Sequence, residues 1–427
     1  MADIAVIGAG YVGLTTGACL AHLGHTVTIA DVDAEKVAQL EKGDIPIFEP
    51  GLSELLTQSI EEGKLQFVVG ASKASSEALF HFLCLPTPPN PDGSTNMEYF
   101  NSAIDEIREI LIPDSIIVNK STLPVGTASK LKERISRDDV HIVSNPEFLS
   151  EGNAIQDFLH PSRIVIGANS QEAATSVATL YKGIEAPIIL TDTESAELTK
   201  HTANAFLAMK LTFVNEIATL CELVGANILD VTKGIGHDPR IGANYLRPGP
   251  GWGGSCFPKD SASLLQTANL AGFDFELLEK AITLNQIHLK RTAQKVFDTF
   301  STEQEFENSK IAVLGLTFKA GTDDLRSSPS LAVIEHLLAR NAQITAYDPM
   351  VTLPTSEIGE IEVVGSAYEA ANGADVLVVL TEWQEFADLD FNLINETMRR
   401  PVIVDARNLL DPRYLEPLGF LYIGIGQ

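Results

Sequence analysis

Ile4-Ala5-Val6-Ile7-Gly8-Ala9-Gly10-Tyr11-Val12-Gly13 opens the chain, and the reading of these ten residues decides the fold. A short apolar run enters a Gly-x-Gly-x-x-Gly turn. A helix-like stretch, Leu14–Leu23, follows and stops at Gly24. A second apolar run, Val27–Ala30, ends at Asp31. Strand, glycine turn, helix, strand and acid make one βαβ unit. In that setting each glycine has a task. Gly8 allows the tight turn, Gly10 lets backbone approach a pyrophosphate, and Gly13 lets helix and strand pack closely. The helix N-terminus offers N–H groups and partial positive charge to a phosphate. A carboxylate at Asp31 would accept hydrogen bonds from ribose hydroxyls and repel a 2′-phosphate, which favours NAD over NADP. Asp33 competes for that contact but lies past the strand.

Working outward, further strand candidates stand at Leu79–Leu85, Ser115–Val118, His141–Ser144 and Ile164–Gly167, with helix-like segments between them. This alternation marks a parallel sheet with helices on its faces. From about Asp192 to Gly234 the chain reads as one long helical stretch with Gly225 as its only interior glycine. A second helical zone runs from about Pro258 to Phe300, interrupted near Gly272. The loop between them, Gly234–Cys256, is rich in Gly and Pro, and loops of that length are usually functional or disordered. At Lys310 the α/β rhythm restarts, with strands at Ile311–Leu314, Ala342–Tyr347, Ala374–Leu380 and Pro401–Val404, and a helix at Ser330–Arg340. The expected fold is therefore α/β: two Rossmann-like parallel-sheet domains joined by a long helical connector. The parts are 1–191 (NAD-binding), 192–300 (helical, with the cysteine loop) and 301–427 (the second α/β domain).

Composition narrows the function. The chain has 427 residues, 45% hydrophobic and 20% charged, with a formal net charge of −27. That is enough apolar material for sizeable cores. The acidity argues against binding a nucleic-acid backbone, which needs a Lys/Arg surface, and against docking on an anionic membrane. The four cysteines, Cys19, Cys84, Cys221 and Cys256, form no CxxC pair, so neither a disulfide framework nor a metal site is expected. No secretory leader and no stretch of about 18 apolar residues is readable, so a cytoplasmic protein is expected.

The segment Pro248-Gly249-Pro250-Gly251-Trp252-Gly253-Gly254-Ser255-Cys256-Phe257-Pro258-Lys259-Asp260 is the most informative. Its glycines let backbone come close to a ligand. Pro258 suits the first helical position, which puts Cys256 just before a helix N-terminus with Lys259 nearby. Such surroundings raise the thiolate fraction of a cysteine. The plainer alternative is a small buried residue. A thiolate beside an NAD site can add to an aldehyde, and loss of a hydride then leaves a thioester that water hydrolyses to an acid. Lys200 and Asn204 are four apart on the long helical stretch and share a face, which fits either a site or a solvated surface. Asn145-Pro146-Glu147-Phe148-Leu149-Ser150-Glu151 follows a strand end, where α/β sheets bind ligands. Either Glu147 or Glu151 could act as a base, and either fits an ordinary surface carboxylate.

At this point the motifs resemble a known family. Gly8–Gly13, Pro46-Ile47-Phe48-Glu49-Pro50-Gly51-Leu52, Pro86-Thr87-Pro88, Lys120-Ser121-Thr122, Asn145–Gly152, Glu197–Glu216, Gly249–Asp260, Gly315-Leu316-Thr317-Phe318-Lys319 and Asp405-Ala406-Arg407 are similar to the nucleotide-sugar dehydrogenases over essentially the whole chain. The resemblance implies that Cys256 is the nucleophile and that Lys200, with Asn204 beside it, stabilises the developing oxyanion. It implies that Asp260 positions water and assists proton removal, that Glu147 serves thioester hydrolysis, and that Glu151 and Thr122 order water and the nicotinamide side. Besides Gly8, Gly10, Tyr11 and Gly13, it implies NAD contacts at Val12, Asp31, Lys36, Thr87, Thr122, Glu151, Lys259 and Arg326.

For the UDP-sugar the resemblance implies Glu147, Phe148, Leu149, Ser150 and Glu151, then Lys200 and Asn204. It adds Tyr245, Leu246, Arg247, Pro248 and Gly249, then Gly253, Lys319 and Arg407. Arg240 matches an arginine that the family donates across a dimer interface, which implies a homo-oligomer. The run Trp252–Asp260 looks most like the UDP-glucose branch, with Ser255 where UDP-N-acetylmannosamine enzymes have His and Phe257 where GDP-mannose enzymes tend to have Leu. Ala406 stands where many relatives have Gly and is expected to be tolerated. The alternatives are a GDP-mannose or UDP-N-acetylhexosamine dehydrogenase, and a 3-hydroxyacid or 6-phosphogluconate type dehydrogenase. The last type has no second α/β domain and needs no thiol.

Overall fold

A computed structural model describes residues 1–90, 93–351, 358–359 and 361–427. The chain divides into two compact units, Met1–Ala203 with Ala262–Phe273, and Asn204–Ser261 with Asp274–Gln427. Residues 192–300 are thus shared between the two units.

The first unit is built on an eight-stranded sheet. Its strands are β1 (Asp3–Ile7), β2 (Thr26–Asp31), β3 (Leu65–Val69), β4 (Phe80–Leu83), β5 (Ile116–Asn119), β6 (His141–Ser144), β7 (Ile164–Ala168) and β8 (Ile188–Thr191). They lie in the order β3-β2-β1-β4-β5-β6-β7-β8. Helices cover both faces, so the inner strands are apolar on both sides. Ile4 and Val6 join one core with Leu14 and Ala18 of the helix Tyr11–His22, while Ile7 joins the other with Leu83, Ile104 and Ile117. Burying each such side chain contributes about 1.5–3 kcal/mol. The sequence alternation predicts parallel pairing throughout, yet β6 and β7 pair antiparallel. The segment between them holds only the short helix Ala154–Leu159 and does not cross back over the sheet. Residues 145–163 therefore stay at the carboxyl end of β6.

Among the described residues the second unit holds six strands, all parallel: β9 (Lys310–Leu314), β10 (Gln343–Tyr347), β11 (Glu362–Val363), β12 (Val376–Val379), β13 (Val402–Asp405) and β14 (Leu421–Gly424). Their order, β11-β10-β9-β12-β13-β14, repeats the 3-2-1-4-5-6 order of the first six strands. The helix Glu276–Phe297 adds Leu289, Ala293 and Val296 to this unit's core, against Val333 and Ile334.

A helix of 32 residues, Thr193–Val224, runs from the first unit into the second. It ends earlier than the sequence suggested. Gly225 takes φ +72°, a left-handed stop, and the Asn227 side chain then accepts the Leu229 N–H to start a new helix, Ile228–Gly236. The second helical zone divides in the same way at Gly272, into Phe257–Leu270 and Glu276–Phe297. Among the described residues, no helix is long and apolar enough to cross a membrane.

Candidate active site

The glycine turn lies where the first sheet reverses its strand order, between β2 and β4 on either side of β1. Gly8 has φ +101°, and a Cβ there would fall 2.4 Å from the Cys84 carbonyl oxygen. A Cβ on Gly13 would fall 1.8 Å from the Gly8 oxygen, which is the close helix–strand packing expected of it. Gly10 is different, because a Cβ there would meet nothing within 4 Å. The helix Tyr11–His22 begins at once, and no side chain caps it. Asp31 ends β2. Its Oδ2 accepts the Ala9 N–H at 3.0 Å and Lys36 Nζ at 3.1 Å, and its Oδ1 accepts the Asp33 N–H at 3.1 Å. Burial alone would raise this carboxyl, but the N–H groups of Asp33 and Ala9 and the Lys36 ammonium outweigh burial and hold it below the ordinary value. Asp33 is occupied elsewhere, capping the next helix through the N–H groups of Glu35 and Lys36. Thr87 is buried and donates to the Thr122 carbonyl at 3.2 Å, which ties the loop after β4 to the loop after β5.

The loop after β6 carries the carboxylates. It is irregular from Asn145 to Ser150, so the four-residue spacing of Glu147 and Glu151 is not a helical one. Glu147 is buried and pairs with Lys200 Nζ at 2.8 Å, and its other oxygen accepts the Leu149 N–H at 2.6 Å. Both partners are almost wholly withdrawn from water, at 3% and 8% side-chain exposure. Removing either would strand a buried charge. Lys200 also sits 5.6 Å from the Phe148 ring, and the Arg163 guanidinium stacks on that ring at 3.6 Å. Ser150 N–H is held by Asp157 at 2.8 Å. The long helix is pinned here by Glu197, which accepts the N–H groups of Gly126 and Ala128 and the Ser144 hydroxyl.

In the second unit, Cys256 immediately precedes the helix Phe257–Leu270 and is half-exposed. The other three thiols are buried, and burial pushes those of Cys19 and Cys84 up to about 12, so they are inert. Asp260 is fully buried one turn into that helix. It accepts Asn204 Nδ2 at 2.6 Å through Oδ2, and its Oδ1 forms an ion pair with Lys259 Nζ at 3.0 Å. Ser255 Oγ lies 3.6 Å from Cys256 Sγ.

Buried side chains that the sequence did not single out hold the loop before Cys256. Asn285 clamps Trp252 twice, accepting its N–H and donating to its carbonyl, both at 2.9 Å. Trp252 Nε1 donates to Thr212, Gly249 N–H to Asn215, and His288 Nε2 meets the Gly249 carbonyl at 2.8 Å. A periodic signal for them exists. Lys200, Asn204, Thr212 and Asn215 lie along one face of the long helix, and Asn285 and His288 are three apart on the next. Tyr245 takes φ +62° and its ring stands 6.2 Å from Phe257; Leu246 and Pro248 are buried, and Arg247 donates to the Asn408 carbonyl. A Cβ on Gly253 would fall 2.0 Å from the Ser327 oxygen.

Lys319 lies 5.7 Å from the Phe318 ring. Arg407 is spent mostly inward, donating to the carbonyls of Leu380 and Phe318. Ala406 is fully buried, its N–H bonded to Val379, so the methyl is accommodated. The last two arginines singled out in the sequence are Arg240 and Arg326. They are surface side chains paired with Asp238 and Asp324 at 2.6 and 2.7 Å.

Comparison with known proteins bears directly on this arrangement. Residues 2–185, 194–287 and 312–412 match, in turn, the NAD binding domain, the central domain and the UDP binding domain of the UDP-glucose/GDP-mannose dehydrogenase family. The chain belongs to this family. It is 43% identical over 436 residues to a UDP-glucose 6-dehydrogenase of Rhizobium meliloti, covering 99% of both proteins. The UDP-glucose dehydrogenase of the hyperthermophilic archaeon Pyrobaculum islandicum superposes with a TM-score of 0.89 at 31% identity, covering 100% of this chain and 98% of that one. A UDP-D-ManNAc dehydrogenase of Pyrococcus horikoshii superposes almost as well, at 0.88 and 28%, covering 99% of each. Backbone likeness alone therefore does not select the sugar.

The first unit fits the cofactor of this dehydrogenase family. Open space at Gly10, an uncapped helix start and the carboxylate at Asp31 are the three features a dinucleotide needs. The chain is an NAD-dependent oxidoreductase of the α/β class, with its NAD binding domain in residues 2–185.

Proposed function

We propose that the chain is a UDP-glucose 6-dehydrogenase. The reaction is UDP-glucose + 2 NAD + water → UDP-glucuronate + 2 NADH, with release of protons. One observation carries the reading. Cys256 heads a helix in a loop fixed by Asn285, Asn215 and His288, in a chain 43% identical over its full length to a UDP-glucose 6-dehydrogenase.

Bound NAD supplies the hydride acceptor for each oxidation. In the first, C6 loses a hydride while its hydroxyl proton leaves. Asp260, oriented by Asn204 and Lys259, positions the water that takes this proton. Lys200 stabilises the negative charge on O6. The Cys256 sulfur then bonds to C6 of the aldehyde, and Lys200 and Asn204 stabilise the thiohemiacetal oxyanion. Loss of a second hydride from C6 leaves a thioester on Cys256. Glu147 takes a proton from water, the water oxygen bonds to C6, and the C–S bond breaks to return the thiol. The buried Lys200–Glu147 ion pair holds the two groups side by side at 2.8 Å. Thr122 and Glu151 order water and the nicotinamide side. Lys36 and Asp31 hold the adenosine ribose, and Lys259, Thr87, Val12 and Arg326 complete the cofactor contacts.

For the substrate, Phe148, Leu149 and Ser150 line the sugar. Tyr245, Leu246, Arg247, Pro248, Gly249, Gly253 and Lys319 take the UDP portion, with Arg407 bracing Phe318. The protein works as a homo-oligomer in the cytoplasm. Phe206, Phe213 and Leu220 recur every seven residues on the long helix and are 59%, 58% and 50% exposed, an apolar stripe suited to a second copy. Arg240, exposed beside Asp238, would reach the partner's substrate.

The test is NADH production from a panel of UDP- and GDP-sugars. UDP-glucose is expected to give the highest kcat/KM, by at least 100-fold. A higher value for UDP-N-acetylmannosamine or GDP-mannose would replace the substrate and keep the mechanism.

A further inference from the structure

The residues Pro46–Leu52 carry a buried carboxylate that the chemistry above does not use. Glu49 lies in an irregular loop and is only 6% exposed. Its Oε1 accepts the Ala154 N–H at 2.8 Å. Its Oε2 accepts the Gly152 N–H at 2.8 Å and the Tyr11 hydroxyl. The Gly152 N–H also approaches the Tyr11 oxygen at 3.0 Å. Burial, and then the Glu49 carboxylate, push the Tyr11 phenol well above its ordinary value, so Tyr11 is the donor in this contact.

These bonds join two places far apart in sequence. Tyr11 is the first residue of the helix that follows the glycine turn. Gly152 and Ala154 end the loop that bears Glu147 and Glu151 and begin the helix Ala154–Leu159. Glu49 stands between them and bonds to both. No neutral side chain of the same shape can do this, because all three partners donate and a carboxylate offers only acceptors. An amide at Glu49 would set an N–H against an N–H or O–H at one of its two ends.

We infer that Glu49 is a positioning residue that holds the carboxylate loop in register with the dinucleotide turn, so that NAD on the turn orders Glu147 and Glu151. This rests on the reading of the turn as an NAD site and of the loop as catalytic. A carboxylate that only filled the core would stabilise the loop equally with and without NAD. One that couples the two places makes loop order depend on NAD.

Hydrogen exchange of residues 148–154, with and without saturating NAD, separates these cases and needs no sugar substrate. In the unmodified protein NAD is expected to slow exchange at these amides at least tenfold. In Glu49→Gln the NAD-linked slowing is expected to fall below threefold. With UDP-glucose, Glu49→Gln is expected to lose at least tenfold in kcat, while the NAD Michaelis constant stays within threefold. Tyr11→Phe should show a smaller loss, and adding it to Glu49→Gln should cost nothing further, because Tyr11 acts through Glu49. Parental NAD-linked protection in Glu49→Gln would overturn the inference, as would parental kcat. If Glu49→Gln does not fold, Tyr11→Phe decides alone: parental protection there overturns it as well. A failure of the functional reading would show separately, as absent NAD binding or absent NADH production in the unmodified protein.

Discussion

At the end of β2, Asp31 keeps 14% of its side chain exposed and takes three hydrogen bonds. At the matching end of β10, Asp348 is 1% exposed and takes five: the N–H groups of Leu316, Thr317 and Met350, the Thr317 hydroxyl and Trp383 Nε1. Everything leading to these two acids is alike. The strand orders are the same. Gly8 and Gly315 follow the first strand of each sheet with φ of +101° and +98°, and each donates its N–H at 2.8 Å to the end of the second strand. A Cβ on either would collide with the segment after the fourth strand, at 2.4 and 2.3 Å. The two then part. After Gly10 the helix starts at once and uncapped. After Gly315 the helix waits until Pro329, and the Ser328 side chain caps it. One sheet leaves an acid and a helix start open to a dinucleotide, and the other closes both with its own backbone and side chains. Topology places the site, and what already occupies the strand-end acid decides whether a ligand can use it.

Three outcomes would sharpen or break this contrast. The largest effect belongs to Asp348→Ala, which orphans five donors, three of them buried and two partly buried. It should destabilise the second unit by about 3–5 kcal/mol, since each buried group left unpaired costs about 1–3 kcal/mol and some find water. Urea unfolding followed by the fluorescence of Trp252 and Trp383, both in that unit, would show it, while NADH affinity of the folded protein stays unchanged. A loss of NADH binding with intact stability would mean that Asp348 is no mere strut. Asp31→Ala should do the reverse. Stability should change little, the NAD Michaelis constant should rise about 10–100-fold, as expected for loss of a charged hydrogen bond of about 1.5–3 kcal/mol, and rejection of NADP should relax because Lys36 is released. A native preference for NADP would remove the Asp31 argument. The smallest effect is on the coupling through Glu49, where the change is in NAD-linked protection and turnover rather than in binding.

Much of this was legible in the sequence, and the gaps have a physical pattern. The strand-turn-helix at Ile4–Gly13, the restart at Lys310 and the thiol loop could be read because they are local: apolar runs, glycines and a proline in order. The four strands that had no counterpart among the expectations, β3, β8, β11 and β14, are the edge strands of the two sheets. Edge strands are half-exposed and need no continuous apolar run, and the burial of β8 and β11 shows this directly. The break at Gly225 was visible as a residue, but a single glycine does not say whether a helix bends or stops. Within the site, Lys200 and Glu147 could be proposed separately, while their 2.8 Å pairing joins residues 53 apart and cannot be read from spacing. The same holds for Asn285 on Trp252 and for Glu49 on Tyr11 and Gly152. These are long-range polar contacts inside the protein, where each side chain looks unremarkable in its own sequence neighbourhood.

The central claim is a four-electron oxidation through a thioester on Cys256. It is tested most directly by counting NADH formed per UDP-glucose consumed, with a limiting amount of sugar and excess NAD. The account predicts two NADH and one UDP-glucuronate for each UDP-glucose, falling to no more than one NADH per enzyme molecule in Cys256→Ala. One NADH per sugar in the unmodified protein, or a full two in Cys256→Ala, would contradict it.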